Sequence, residues 1–297
     1  MSIMKSNIDF PLITIQILNW NRATETVRAI ESAINQSYPN FEVVVVDNGS
    51  TDGSVELISG RFPNLKIVSL SKNYGCPGGR NRGISECSGE YIFFCDNDGV
   101  LHKDAVKFAY EEISGRADCF VVTGTVREFS DEREIDVKYE IIPSETYKIH
   151  TFQGGICLIR KKVFSTIELF PDDYIYGGEE QYLSFRIMDK GYEIRKSENV
   201  ILWHKKSSYA RNVKNETLNS WRNKLANVYQ LYPIEYFVQF LIYFVVVYPV
   251  YALKEGFFLD FLRSIPKMYS NMIKYKRIPV TRKTFKTINH IRTMLGM

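Results

Sequence analysis

The sequence predicts an α/β fold built on a mainly parallel, Rossmann-like sheet with flanking helices. Three observations carry this expectation. Over the first 125 residues, short apolar β-rich runs alternate with segments whose apolar residues recur at helical spacing, the pattern of strand–helix units joined in parallel. The apolar runs have the character of buried strands. Three of them stop at polar clusters, namely Asn19-Trp20-Asn21, Asp47 and Asp96-Asn97-Asp98, and ligands of such sheets sit beyond the carboxyl ends of the strands.

Taken in order, Leu12–Leu18 reads as the first strand. Ala23–Gln36 reads as a helix, with Val27, Ile30 and Ile34 on one face. Phe41–Val46 is a second strand closed by Asp47, and residues 48–54 form a turn cluster ahead of a helix start. Leu65–Leu70 is a third strand, Pro77–Ser88 a short helix and Tyr91–Cys95 a fourth strand. Asp104–Ile113 is helical, and Phe120–Val122 belongs to a further strand. Arg127–Ile149 is polar and irregular, a loop over the sheet edge or a solvated insertion. Phe152–Ile159 returns to strand character. At 297 residues the chain holds one large domain, or one domain with an appendage.

The densest chemical signal is the stop of an apolar run at Asp96 and Asp98. An unpaired carboxylate is too costly to bury, so two of them one residue apart belong on a turn, where both can face one cation. Oxygen ligands suit a hard ion such as Mg²⁺ or Mn²⁺, whose shell is completed by water and phosphate. Asp47 stands where an acid accepts hydrogen bonds from a ribose or a base, or caps the following turn. The stretch Gly75–Gly83 opens a helix, and glycines with a helix N-terminus favour a phosphate. Arg80 and Arg82 add charge there, although neither dinucleotide nor Walker-type spacing is present. Tyr176-Gly177-Gly178-Glu179-Glu180 sets two acids at the start of a helical pattern. They either complement the helix dipole or supply a general base for a hydroxyl.

Val44-Val45-Val46-Asp47-Asn48-Gly49-Ser50-Thr51-Asp52-Gly53-Ser54 resembles the second-strand signature of glycosyltransferase family 2. The same family is resembled by Asn73-Tyr74-Gly75 with Gly79-x-Asn81-x-Gly83, by Asp96-Asn97-Asp98, by Gly178-Glu179-Glu180 and by Leu202-Trp203-His204. The resemblance spans about residues 11 to 210. It implies a GT-A fold and transfer of a sugar from a nucleotide-diphosphate donor to a hydroxyl, with inversion at the anomeric carbon. It implies that Asn19, Asn21, Asp47, Asn73, Asn81 and Asp96 bind the donor nucleotide. Asp96 and Asp98, with His204 as a further contact, would hold Mg²⁺ or Mn²⁺, and Gly154 and Gly155 would line the sugar and acceptor channel. Where the family pattern is often Glu-Asp, this chain has Glu179-Glu180. Glu180 aligns with the base and Glu179 is the second candidate, the extra methylene carrying the carboxylate about 1.5 Å outward. No Gln-x-x-Arg-Trp follows, so one transfer per encounter is expected, as in non-processive rhamnosyltransferase-like members. A nucleotidyltransferase and a non-catalytic nucleotide-sugar-binding protein are the alternatives. Asn19-Trp20-Asn21-Arg22 stands where the first would carry a glycine-rich phosphate loop, and intact acids argue against the second.

The remaining signals concern location. The division expected is a catalytic domain over 1–220 and C-terminal helices with a basic tail over 221–297, Trp221 opening a helix. Tyr236–Leu253 holds 18 residues without a formal charge, interrupted by Gln239 and Pro249, just long enough to cross a bilayer. From Phe261 to Met297 lie nine of the 38 Lys/Arg and none of the 34 Asp/Glu, which leaves the preceding 260 residues with 29 bases against 34 acids. An apolar helix beside an acid-free basic tail suits in-plane attachment to an anionic membrane surface. The alternative is a helical hairpin packed on the catalytic domain or on a second copy in a homodimer. No aromatic–basic interleaving points to nucleic acid. Five scattered cysteines without CxxC spacing read as reduced thiols. Residues 1–10 carry no apolar leader core. The expected location is therefore cytoplasmic, peripheral on the inner face of the cell membrane, with a glycan or lipid-linked acceptor.

Overall fold

The computed structural model describes residues 10–129, 146–174, 177–205 and 213–296. Nine strands form one sheet: β1 (Ile13–Asn19), β2 (Phe41–Asp47), β3 (Lys66–Ser69), β4 (Tyr91–Asp96), β5 (Gly99–Leu101), β6 (Cys119–Phe129), β7 (Tyr147–Lys148), β8 (Ile156–Arg160) and β9 (Glu193–Lys205). Their order is β3-β2-β1-β4-β8-β6-β9-β5, with β7 added on β9. Strands β1 to β4, β6 and β9 point one way, and β8, β5 and β7 run against them. The expected mainly parallel sheet is therefore present.

Helices α1 (Ala23–Ile34), α2 (Ser54–Arg61), α3 (Gly75–Ile84), α4 (Ala105–Ser114) and α5 (Glu179–Asp189) flank it. Strand β1 shows why the apolar runs are so continuous. Ile13, Ile15 and Ile17 enter the core on one face, with Val27 and Ile30 of α1 and Phe93 of β4. Ile92 and Phe94 face the other way, with Leu183 and Ile187 of α5. Both faces are buried, so both parities of each strand are apolar. The exceptions are informative: Gln16, buried beneath α3, donates to the Arg80 carbonyl oxygen at 3.3 Å.

Several boundaries differ from expectation. Strand β8 begins at Ile156, not at Phe152, because Gln153–Gly155 turn first, with Ile156 N–H donating to the Gln153 carbonyl at 3.2 Å. Within the expected excursion, β6 persists to Phe129 and β7 forms at Tyr147, while residues 130–145 lie outside the described residues. Trp221 does not open a helix. Helix α6 runs Val213–Leu231, because Leu218, Trp221 and Leu225 share a face that packs on the following helices. The division expected at residue 220 falls inside it.

Helices α7 (Ile234–Lys254), α8 (Phe258–Ile273) and α9 (Arg282–Met294) complete the chain. Helix α7 continues through Pro249. It buries only Phe244, Tyr248 and Ala252, a seam at four-residue spacing. The basic tail is not a loose extension. Phe285 and Ile288 of α9 pack on Tyr182 and Phe185 of α5.

One glycine tests the sheet. Gly124 lies at the register shift between β6 and β9. A Cβ there would overlap the Val200 carbonyl oxygen and come within 2.6 Å of Ile156 Cδ1. Overpacking at such a site costs about 1–3 kcal/mol. Gly124→Ala should lower the urea midpoint accordingly without changing the slope of the transition.

Candidate functional site

The strand register brings the predicted polar clusters to one sheet edge. Asn19 pairs with Asp47 across β1 and β2, and Leu18 pairs with Asp96 across β1 and β4. Asn19 and Asp47 are buried and engaged with each other. The Asn19 carboxamide donates to Asp47 Oδ1 at 2.7 Å and accepts from Thr26 Oγ1 at 2.7 Å, while Asp47 Oδ2 accepts the Ser50 N–H at 2.9 Å. This pairing ties together the loops after β1 and β2. Asn21 adopts φ +50°, and its Oδ1 accepts from the Thr51 N–H at 2.7 Å. Asn73 joins the third loop by accepting from Asn48 Nδ2 at 3.0 Å and from the Gly75 N–H at 2.7 Å. Asn81 is turned elsewhere, donating to the Phe170 carbonyl at 2.7 Å and to Asp172 at 2.6 Å.

Asp98 stands on the turn after β4, facing β9. His204 reaches it at 3.1 Å because Gly99 and His204 are register partners, and the Arg22 guanidinium closes on the same oxygen. Burial alone would raise the Asp98 carboxyl, but His204 and Arg22 outweigh it and hold the group below its ordinary range. Asp96 goes the other way. Burial and the neighbouring Asp98 charge raise it against the pull of Arg80. Among the described residues, no three His, Cys, Asp or Glu side chains gather closely enough to hold a metal ion. Asp96 and Asp98 are oxygen donors of the kind that Mg²⁺ or Mn²⁺ takes alongside water and phosphate, but here Arg80 engages Asp96, and His204 and Arg22 engage Asp98.

The two arginines of the glycine-rich stretch do not offer themselves to a phosphate. Arg82 stacks over Tyr74 at 3.7 Å and pairs with Asp172 at 3.2 Å. Arg80 is 4 % exposed and pairs with Asp96 at 3.1 Å. Above it lie Gly154 and Gly155. A Cβ on Gly155 would overlap the Asp96 carboxylate, and one on Gly154 would overlap Arg80 and come 2.9 Å from Glu180 Oε1. The two glycines are thus the opening through which Arg80, Asp96 and Glu180 converge.

Glu179 and Glu180 begin α5 after Gly177 and Gly178, at φ +76° and +96°. Their side chains part company. Glu180 faces Gly154, whereas Glu179 is 4 % exposed and its Oε2 lacks a hydrogen-bond partner among the described residues. Burial and then the Glu180 charge push Glu179 up to about 7. Burial also raises Glu180, against the lowering influence of Arg80.

Two clefts meet at Asp96. One, of about 410 Å³, runs between Trp20, Asn73 and Asp96 on the sheet edge and Asn215, Glu216 and Asn219 of α6. The other, of about 430 Å³, is lined by Gln153, Gly154, Gly155, Glu180 and Gln181. The contribution of α6 to the first is not foreseen from sequence. Its signal is the polar spacing Asn215/Glu216/Asn219 ahead of the apolar Leu218/Trp221/Leu225 face.

A mixed sheet with this edge and these flanking helices is the GT-A architecture. The chain superposes on a mannosyltransferase from Pyrobaculum calidifontis in complex with GDP-Man and Mn²⁺, with a TM-score of 0.57 over 73 % of this chain and 63 % of that one, at 17 % identity. The sequence model for glycosyl transferase family 2 matches residues 14–168, and the chain belongs to that family. Among curated relatives, it is 26 % identical to the glycosyltransferase AglE of Haloferax volcanii over 204 residues, 65 % of this chain and 67 % of AglE. It is 36 % identical to the succinoglycan biosynthesis protein ExoO of Rhizobium meliloti over 98 residues, 33 % of this chain and 28 % of ExoO.

The acid turn yields a pH test. A carboxyl raised in the folded state stabilises the fold below its unfolded value, and that contribution is lost as pH climbs through the folded value. Glu179 should therefore cost wild-type stability progressively between its ordinary value of 4.5 and about 7. Glu179→Gln, which cannot ionise, should lose less stability over that window. Urea unfolding at about pH 5 and about pH 8 checks this, and parallel pH curves for the two proteins would remove the assignment.

Proposed function

We propose that this protein transfers one sugar from a nucleotide-diphosphate donor to a hydroxyl of a glycan or lipid-linked acceptor, inverting the anomeric carbon, in surface-polysaccharide assembly. The observation that carries the reading is the convergence of Asp96 and Glu180 around Gly154 and Gly155, with the Asp98–His204 pair on the turn that follows Asp96. The donor occupies the cleft between Trp20 and α6. Asn19 and Asp47 act by fixing the loops that present Asn21, Asn48 and Asn73 to the nucleoside, and the division of labour between residues 1–220 and 221–297 follows the same reading, with α6 shared.

Asp96, Asp98 and His204 are the residues that would hold Mg²⁺ or Mn²⁺. A bound ion would supply charge neutralisation of the departing diphosphate, in keeping with the Mn²⁺ and GDP-Man bound by the mannosyltransferase. Arg22 adds fixed positive charge at the same place, while the buried Arg80 steadies Asp96 from beneath. The acceptor hydroxyl enters from the Gln153–Gln181 side. Glu180 takes its proton as the hydroxyl oxygen attacks the anomeric carbon from the face opposite the diphosphate. The new C–O bond forms as the sugar–phosphate bond breaks, and the nucleoside diphosphate leaves with the electron pair. Glu179, enclosed and raised, stands behind Glu180 as a second acid and not as the group facing the acceptor.

A panel of UDP-, dTDP- and GDP-sugars, with and without Mn²⁺, tests the donor site by thermal shift. One nucleotide class should raise the midpoint, and the rise should vanish with EDTA and in Asp98→Ala. Glu180→Gln should keep the shift but lower kcat by about 10²–10⁴. Full turnover in that variant would remove the base, and released pyrophosphate in place of nucleoside diphosphate would replace the reaction class.

Attachment to the inner, anionic face of the cell membrane is part of the same proposal. Helix α7 is long and apolar enough to cross a membrane, and little of it is buried. Ile242 and Val246 are 64 % and 60 % exposed, and Leu259, Leu262 and Ile265 of α8 extend the apolar surface beside Lys254, Arg263 and Lys267. A surface of this kind marks a membrane or protein contact, and its basic border favours anionic lipid. Wild-type protein should float with anionic vesicles. Val246→Asp, and the pair Arg263→Glu/Lys267→Glu, should float less. Unchanged flotation, or a stable dimer that covers this face without lipid, would overturn the attachment.

A further inference from the structure

We propose that helix α6 positions the catalytic turn: Asn223 and Asn227 grip the backbone of Gly177 and Gly178 and so set where Glu180 stands. The inference rests on the reading of Glu180 as the base, and it gives a role to two residues outside the catalytic motifs.

Both asparagines are fully buried. They sit four residues apart on one face of α6, among the buried apolar residues Leu225, Ala226 and Val228. Each aims its amide at one carbonyl of the turn. Asn223 Nδ2 donates to the Gly177 carbonyl at 2.7 Å, and Asn227 Nδ2 donates to the Gly178 carbonyl at 2.7 Å. The opposite ends are held too. Asn227 Oδ1 accepts from the buried Tyr174 hydroxyl at 2.8 Å, and Asn223 Oδ1 accepts from Arg222 Nε at 3.2 Å. The grip is close-fitting, since a Cβ on Gly178 would come 3.2 Å from Asn223 Cβ and 3.3 Å from Asn227 Nδ2.

The turn needs such an anchor. At positive φ, Gly177 and Gly178 leave the helix axis free to pivot just before its first residue. The Gly178 carbonyl already accepts the first helical hydrogen bond, from the Tyr182 N–H at 3.0 Å, so a second donor there holds the helix start itself. Glu180 is the second residue of α5, and any tilt at Gly178 is carried directly to its carboxylate. A base must lie within about 3 Å of the proton it removes, and a displacement of about 1 Å costs on the order of 100-fold in rate. Two fully buried carboxamides are a costly way to fill space unless their hydrogen bonds are made. Their directed bonds to consecutive carbonyls are what that placement achieves.

The test is steady-state kinetics on the full chain with the nucleotide sugar identified by thermal shift. Asn223→Ala and Asn227→Ala should each lower kcat by about 10–100-fold while KM for the donor stays within about twofold, because the donor cleft is lined by the first turns of α6 and not by these two residues. A double-mutant cycle separates positioning from general destabilisation. If Asn227 acts through Glu180, then Asn227→Ala should cost little further rate in a Glu180→Gln background. Asn227→Ser keeps a donor in a smaller side chain and should recover part of kcat. It also carries the test if the alanine variant fails to fold. Wild-type kcat in a folded Asn227→Ala, or additive losses in the cycle, would overturn the inference. Full turnover in Glu180→Gln alone would instead overturn the base assignment on which it rests.

Discussion

A single buried guanidinium holds this site together. Arg80 lies beneath the Gly154–Gly155 turn, bonded to Asp96 and close to Glu179 and Glu180. Three carboxyls that converge in a partly enclosed space repel one another, and burial adds its own penalty to each charge. Without the cation, the group would protonate or spread apart. With it, Asp96 is held toward one cleft and Glu180 toward the other. The arrangement demands room directly above Arg80, which only residues lacking a Cβ leave. The two glycines, the arginine and the acids are therefore one design, although they come from four separate stretches of the chain.

The sequence exposes some of this and hides the rest, for reasons that follow from locality. The strand ends are legible because apolar runs stop abruptly at Asn19, Asp47 and Asp96, and parallel pairing then forces those positions to one edge. The family signature is likewise a string of local turns. Arg80 is different. Its place in a glycine-rich helix start reads as a phosphate contact, but α3 packs with that face inward, and a charge beside Asp96 and Glu180 is worth more than one in water. The same is true of Asp47, whose burial with Asn19 depends on Thr26 and Ser50 arriving from two loops. Helix α6 was the least legible element. Its polar first turns look like a linker until Leu218, Trp221 and Leu225 find their partners on α7 and α8.

The C-terminal helices divide their surfaces unevenly. Phe244, Tyr248 and Ala252 fill a narrow seam against α6 and α8, with the Trp221 ring tilted against Tyr248 at 4.5 Å between centroids. Phe237, Phe240 and Leu241 are half-buried beside that seam, whereas Val238, Ile242, Val245, Val246 and Val250 face outward. A soluble core helix of this hydropathy would be enclosed on most sides. Helix α9 shows the contrast. It hides Phe285 and Ile288 and exposes its lysines, the ordinary arrangement of a helix facing water.

Helix α6 has three neighbours: one face, at four-residue spacing, carries Asn215 and Asn219 toward the cleft beside Asp96 and, further along, Asn223 and Asn227 toward the acid turn, while the opposite face turns Leu218, Trp221 and Leu225 toward the hairpin. A rigid rod shared in this way makes the three surfaces thermodynamically reciprocal. Whatever displaces the rod when it binds at one surface alters affinity at another, and a ligand at that second surface alters affinity at the first by the same free energy. Under the proposed function, contact at the hairpin and chemistry at the acid turn are accordingly linked equilibria on one body.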